Sequence, residues 1–388
     1  LGPLRRSLRR IAANSVHYSS LEESIREMQA ATLRPASEPR PRPLVSLVLP
    51  AYNESAILQA NLTTLVNYMR GLEDRYRWEM VVVDDGSSDA TGAIADEFAR
   101  THQNVRVVHH VVNMNLGQAL RTGFTHCRGD YVVVLDVDLS YDPGHIEKLV
   151  STLVSTQADV VVASPYMPGG KVSQVPPVRL QLSKWANRFL GFFAPQANLR
   201  TITGMVRGYR REFLKALDLR ALGVDINSEI IYKGMLLRGR IIEIPAHLDW
   251  SLQRQKGKGR VSSFKIYRGI LTYILAGFIF RPFMFFLLPG GFLFLVSCYV
   301  IGWIFVNASA VYDKLPPMTG TFDDRFSEAV AQTFRDRPHA FLVGGITLLI
   351  SLQLVSLGIL ALQSKRYFEE LFHIASTVRR DVARDEVS

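Results

Sequence analysis

Residues 132–138 read VVVLDVD. An apolar run of this kind enters the interior, and two aspartates one residue apart mark where it comes out. The run is short and β-branched, which predicts a strand covered on both faces. Taken alone, Asp136 and Asp138 are equally a turn or a helix cap, where Asp is common. The surrounding residues decide between punctuation and chemistry.

Similar runs occur at 44–50 (LVSLVLP), 79–85 (EMVVVDD), 105–110 (VRVVHH) and 159–164 (DVVVAS). Between them, segments 55–72, 89–100, 116–127 and 143–154 carry helical spacing. Such alternation, with strands buried on both faces, predicts an α/β fold built on a mostly parallel sheet. Ligands of these sheets bind beyond the carboxyl ends of the strands. Those ends carry AYNES (51–55), DDGSSD (84–89) and DVDLS (136–140). Three acidic clusters at one rim exceed what capping requires.

Paired carboxylates there make a hard-oxygen site suited to Mg2+ or Mn2+. A divalent ion neutralises charge as a diphosphate departs. Asp84 and Asp85 can accept hydrogen bonds from a nucleobase N–H or a ribose hydroxyl. Asp89 reads first as the N-cap of the next helix, and His109 and His110 as structural. Other chemistries lack their signatures. No G-x-G-x-x-G follows the first strand, and no P-loop, G-x-S-x-G or zinc-spaced histidine pair is present.

The 388 residues carry a net charge of +10, which favours an anionic partner: nucleic acid, phosphorylated ligand or acidic lipid. Cys127 and Cys298 are the only cysteines, too few for a disulfide framework or a cysteine zinc site. Residues 1–43 form a basic arm and linker. No apolar core follows LGPLRRSLRR, so no secretory signal is expected there. A short amphipathic helix is expected at 20–33 and an extended Pro- and Arg-rich stretch at 34–43.

From 254 to 282 a basic loop leads into an apolar helix expected near a membrane interface. Residues 283–306 and 340–362 are long and apolar enough to span about 30 Å of hydrocarbon. Neither contains an ionised residue. A buried helical hairpin in a soluble domain is the competing reading. Positive flanks place the first half and the tail 363–388 in the cytoplasm and the loop 307–339 outside.

PAYNE (50–54), DDGSSD, NLG (115–117) and DVD, in this order and spacing, resemble family 2 glycosyltransferases with the GT-A fold. GMVRGYRREFL (204–214) and IIEIPAH (241–247) resemble two later motifs of that family. With the apolar C-terminal part, the resemblance is to polyprenyl-phosphate glycosyltransferases of the dolichol-phosphate mannose synthase or GtrB type. It covers roughly 44–281 and implies a GT-A domain over 44–253.

The resemblance puts Pro50, Tyr52, Asn53, Glu54, Gly117 and Gln118 on the nucleotide, with Asp84 or Asp85 near base and ribose. It makes Asp136 and Asp138 the catalytic DxD pair, facing diphosphate and metal. Ser140 falls at the third metal position, where relatives often carry Gln. Pro165 stands where a basic residue is common, and Thr201 where an aspartate is usual.

The implied reaction is inverting transfer of one hexose, glucose or mannose, from a UDP or GDP sugar to polyprenyl or dolichyl phosphate at the cytoplasmic membrane face. A lipid monophosphate has a second pKa of about 6 and needs no general base. It needs cations, and Arg179, Lys184, Arg207, Arg254, Lys258 and Arg260 are the candidates. Membrane lipid is a further expected partner, nucleic acid is not, and a homo-oligomer stays open. Two rivals remain: a processive polysaccharide synthase, which lacks its Q-x-x-R-W motif here, and a non-catalytic scaffold, which would not need intact acidic clusters.

Overall fold

The computed structural model of the chain describes residues 42–193, 199–251, 278, 281–316 and 322–385. The expected arm at 1–43 falls almost wholly outside them. So do the basic loop with Arg254, Lys258 and Arg260, and most of the expected interfacial helix.

The five apolar runs are strands: β1 (Leu44–Ala51), β2 (Arg77–Asp84), β3 (Val105–His109), β4 (Tyr131–Val134) and β5 (Val160–Ser164). All of β5, and all of β2 except its first residue, are buried. Between them run α1 (Leu58–Arg70), α2 (Thr91–Thr101), α3 (Asn115–His126) and α4 (Gly144–Thr156). Each turns one apolar stripe to the sheet. In α1, Leu58, Leu62, Leu65 and Met69 follow three- and four-residue steps and are all buried. Burying each such side chain contributes about 1.5–3 kcal/mol.

Next come β6 (Lys171–Ser173), α5 (Pro177–Phe193), β7 (Arg207–Arg210), α6 (Arg211–Ala216), α7 (Ile226–Leu236), β8 (Ile241–Pro245) and β9 (His247–Asp249). The large sheet runs β3-β2-β1-β4-β7-β5-β8, and β6 pairs with β9 in a small parallel ribbon. Among the described strands only β7 is antiparallel to its neighbours, β4 and β5. Helices α1, α2 and α4 cover one face of the sheet, and α3, α5 and α7 the other.

Strand order reverses at β1. The chain steps outward to β2 and β3, then returns to the other side of β1 for β4, which opens a crevice at the carboxyl ends of β1 and β4. Register aligns the rim. Ala51 lies beside Asp84, Asp84 beside His109, and Val48 beside Val134. The Leu135 amide still donates to the Val48 carbonyl at 3.2 Å. Asp136 is the first residue past the ladder.

The C-terminal part is helical: α8 (Met284–Tyr312), α9 (Phe322–Asp336) and α10 (Pro338–Asp385). The most apolar stretches of α8 and α10 are only 11% buried. A buried hairpin of a soluble domain would hide them, so their exposure argues against that alternative. The two helices meet through small residues, as spans do. Gly358 admits Leu287, and Ser297 Oγ donates to the Gly344 carbonyl at 3.0 Å.

Both helices outrun the expected spans, and α10 takes up most of the expected tail as continuous helix. Within the expected outer loop, 307–312 continue α8 and 322–336 form α9, which packs on the end of α8. Arg325 there donates to the carbonyls of Tyr312 (2.9 Å) and Leu315 (2.8 Å), and lies 4.3 Å from the Tyr312 ring. Cationic donors suit a helix C-terminus, whose last carbonyls lack partners within the helix.

Candidate active site

The loops after β1 and β2 are stapled together. Asn53 adopts a left-handed φ of 55°, which asparagine tolerates. Its amide donates to Ser87 Oγ (3.0 Å), and its Oδ1 accepts from the Ser88 amide (2.9 Å). The Glu54 amide donates to Thr91 Oγ1 (2.8 Å), while the Glu54 carbonyl accepts from Ile57 and Leu58 to start α1.

Asp89 accepts from the Ser55 amide (3.2 Å) and the Thr91 amide (3.0 Å). Side-chain hydrogen bonds from Ser55 and then Thr91, more than these amides, hold its carboxyl well below the usual carboxylate range. The N-cap of α2 is Ala90 rather than Asp89; Asp89, one residue earlier, binds the Thr91 amide and ties down the β1 loop through Ser55. Tyr52, 47% exposed, is left at the rim.

Asp84 and Asp85 are buried and each is held by a histidine. Asp84 Oδ2 faces His109 Nδ1 at 3.0 Å, and its Oδ1 accepts from the Ser87 amide at 3.1 Å. His109 Nε2 lies 3.0 Å from Asp96 on α2. The bond to Asp84, reinforced by Asp96, raises the His109 pKa. Asp85 Oδ1 takes His110 Nδ1 at 2.7 Å and the Met114 amide at 2.9 Å. His110 Nε2 reaches Thr122 Oγ1 of α3 at 2.9 Å. These histidines are structural, as read from the sequence, but what they structure is the rim. The sequence signal was their place at a strand end beside DD.

Gly86 turns the chain with φ +68°, and a Cβ there would lie 2.3 Å from the Val112 carbonyl carbon. The exposed 111–114 segment is thereby pressed against the second acidic cluster.

Asp136, Asp138 and Ser140 share one tight turn. The Leu139 amide donates to the Asp136 carbonyl (3.2 Å), Leu139 takes a left-handed φ of 51°, and Asp138 Oδ1 accepts from the Ser140 amide (2.9 Å). Both carboxylates are half-buried, whereas Ser140 is buried and its carbonyl accepts from the Asp249 amide at 2.8 Å. The neighbouring Tyr141 phenol is raised by burial and then by Asp136.

Among the described residues no group of three or more His, Cys, Asp and Glu side chains could hold a metal. A pair of hard oxygen donors still fits Mg2+ or Mn2+, which keep waters and take further ligands from phosphate.

Two expectations change. Gly117 was assigned to the nucleotide, yet its amide donates to the Leu222 carbonyl (2.8 Å) and a Cβ would lie 2.6 Å from the Ala221 oxygen. The Gln118 amide shares the Leu222 carbonyl at 3.3 Å, and its side chain bonds Thr122 and Arg121. The start of α3 is closed by protein backbone. This follows from close packing of the 220–223 segment.

Arg207 is among the cations expected to position the acceptor phosphate. The structure buries it fully in β7, with Nη1 donating to the Asn227 carbonyl at 2.9 Å and Nη2 to the Ile202 carbonyl at 2.5 Å. Lys184, by contrast, is exposed on α5. Arg179 lies on the same helix, its side chain outside the described residues.

Thr201, standing where an aspartate is usual, bonds Ser164 Oγ at 2.7 Å. The sequence reading missed the residues that shape this loop. Glu243 of β8 accepts from the Arg200 (2.9 Å) and Thr201 (2.7 Å) amides, and Asn187 Oδ1 from those of Ile202 (2.7 Å) and Thr203 (3.1 Å).

The profile of Glycosyl transferase family 2 matches residues 46–218, from β1 through α6. A polyprenol monophosphomannose synthase of Mycolicibacterium smegmatis is 32% identical over 234 residues, covering 58% of this chain and 84% of that one. A dolichol-phosphate mannosyltransferase of Pyrococcus furiosus is 32% identical over 204 residues, 52% of this chain; the chain spans only 55% of that relative's length. Among solved structures, Mycobacterium tuberculosis glucosyl-3-phosphoglycerate synthase in complex with UDP aligns with a TM-score of 0.44 at 20% identity, over 61% of this chain and 80% of that one. The profile runs across both stapled loops and the aspartate turn, and the mycobacterial relative is matched over most of its length. On these grounds the chain belongs to glycosyl transferase family 2.

Proposed function

We propose that the chain transfers one hexose, glucose or mannose, from a UDP or GDP sugar to a polyprenyl phosphate, inverting the anomeric carbon, at the cytoplasmic face of a membrane. The observation that carries this reading is the Asp136–Asp138 turn at the crevice between β1 and β4. Relatives named for mannosyl transfer to polyprenyl or dolichyl phosphate support the acceptor class.

Asp136 and Asp138 would hold Mg2+ or Mn2+, which when bound offsets the charge of the donor diphosphate. Tyr52 offers an exposed ring to the nucleobase, and the Asn53–Ser88 staple presets the pocket around it. One displacement suffices for the chemistry. A phosphate oxygen of the lipid forms the new bond to C1 as the bond from C1 to the nucleoside diphosphate breaks on the opposite side. The acceptor is mostly dianionic at neutral pH, so no side chain needs to take a proton.

Lys184 and Arg179 on α5, with Arg254, Lys258 and Arg260, would position that phosphate. Phe189 of α5 makes an edge contact, ring centroids 6.4 Å apart, with Phe285 at the start of α8. This contact supports placing the α5 cations near the membrane entry. We read α8 and α10 as membrane spans and assign the orientation from their basic flanks.

The test incubates UDP- and GDP-linked glucose and mannose with a polyprenyl phosphate and Mg2+ or Mn2+. We expect one donor to yield a lipid-linked hexose and Asp138→Asn to lower the rate by about a hundredfold or more, since metal stabilisation amounts to several kcal/mol. Full turnover in excess EDTA, or no product from any of the four donors, refutes the reading.

A further inference from the structure

One face of α10 stays exposed while keeping steps of three and four residues. Within the apolar span it comprises Ile350, Gln353, Leu357 and Leu360. Past the span, through Ser364, it continues as Tyr367, Leu371, Ile374 and Val378, which are 56–65% exposed. A repeat of about 3.5 residues is the seam of a left-handed helix pair. The opposite face is already used. Gly344 and Gly358 pack against α8, and further along Phe372 lies 5.7 Å from Lys233 Nζ, while Phe368, at the edge of the seam, stacks on Tyr232 of α7 at 6.4 Å.

We propose that α10 pairs in parallel, along this face, with α10 of a second copy of the chain. Two features set the face apart from a lipid-facing surface. Gln353 puts a polar amide near the middle of the span, with no side-chain hydrogen bond to any described residue. Hydrocarbon offers it none. An amide both donates and accepts, so Gln353 can pair with its own copy across a two-fold axis.

The second feature is reach. At about 1.5 Å per residue, Leu371 and Val378 stand about 14 and 24 Å past residue 362, outside hydrocarbon and headgroups. Lipid explains exposed apolar residues inside the span but not these. Membrane insertion holds two copies parallel and at one height, which brings Gln353 to Gln353 and Leu371 to Leu371. No seam residue from 350 to 378 is charged, so no like charges oppose this register. Self-complementarity at every level is the reason to choose a second copy over a different protein.

The inference rests on reading α8 and α10 as spans and is independent of the reaction. The test uses single cysteines in native membranes, on a Cys298→Ser background that removes the exposed native thiol. Leu371→Cys and Ile374→Cys, on the seam, should form disulfide-linked dimers on mild oxidation. Arg366→Cys and His373→Cys, exposed on the other side, should not. Gln353→Leu preserves a long apolar helix. Photobleaching steps in dilute liposomes should show dimerisation weakened about three- to twentyfold, the size of one interhelical hydrogen bond in a membrane. A chain extracted by alkaline carbonate refutes the spans. A chain that resists extraction yet cross-links equally at all four positions, or at none, or only to another protein, refutes the pairing.

Discussion

Glu229→Gln tests how the buried framework supports the rim. Glu229 on α7 is 9% exposed, and its carboxylate accepts from the amides of Arg220 (2.9 and 3.0 Å) and Ala221 (2.8 Å). Lys233, one turn along and also buried, places Nζ 2.7 Å from it. The segment thus held presents the Leu222 carbonyl to Gly117 at the start of α3. Just before α3, the Met114 amide bonds Asp85.

Glutamine keeps the shape but removes the charge, leaving a buried ammonium without its counter-ion. Were the pair exposed, the loss would be about 0–1 kcal/mol; for a buried pair broken on one side it is about 3–5 kcal/mol. At about 2–4 °C per kcal/mol for a domain of 150–250 residues, Tm should fall by about 6–20 °C. Thermal unfolding of the full chain in detergent, at one scan rate for all variants, measures this. The double variant Glu229→Gln/Lys233→Met removes both charges while the glutamine oxygen still accepts from the 220–221 amides, and should melt above the single one, because no buried charge is then left unpaired. A Tm within about 2 °C of the parent, or a double variant no more stable than the single, would refute the reasoning.

Gly117→Ala should destabilise by about 1–3 kcal/mol, since the new Cβ would meet the backbone of Ala221 and Leu222; unchanged melting would show that this contact relaxes freely. The raised pKa of His109 predicts stabilisation that is complete below about pH 6.5 and is lost as pH rises through the higher folded-state value. Unfolding midpoints across that window should therefore decline in the parent and flatten in His109→Gln, and equal slopes would remove His109 from the account. Gln332→Cys, exposed on α9, should react with a membrane-impermeant maleimide in intact cells on the Cys298→Ser background. Reaction only after permeabilisation would invert the orientation.

Much of the fold was legible because it depends on short-range pattern. VVVLDVD and its sister runs are strands since a strand covered on both faces must be apolar at every position. Their alternation with amphipathic segments leaves a largely parallel sheet as the natural packing. The ordered motifs were enough to recognise the family, and the two long apolar helices stood out by length.

Longer-range facts were hidden. β7 is only four residues long, and its reversed direction is set by the chain's route between β4 and β5. Arg207 reads as a phosphate-positioning cation because a lipid phosphate needs cations; only the folded chain brings the Asn227 and Ile202 carbonyls around it. Gly117 looked like a ligand-binding glycine, and Leu222, more than a hundred residues later, makes it a packing glycine. Glu229 and Glu243 carry no local signature, because each is defined by backbone amides from other segments. Periodicity and burial are written in neighbouring residues. Which polar groups meet is decided when packing brings distant segments within hydrogen-bond reach.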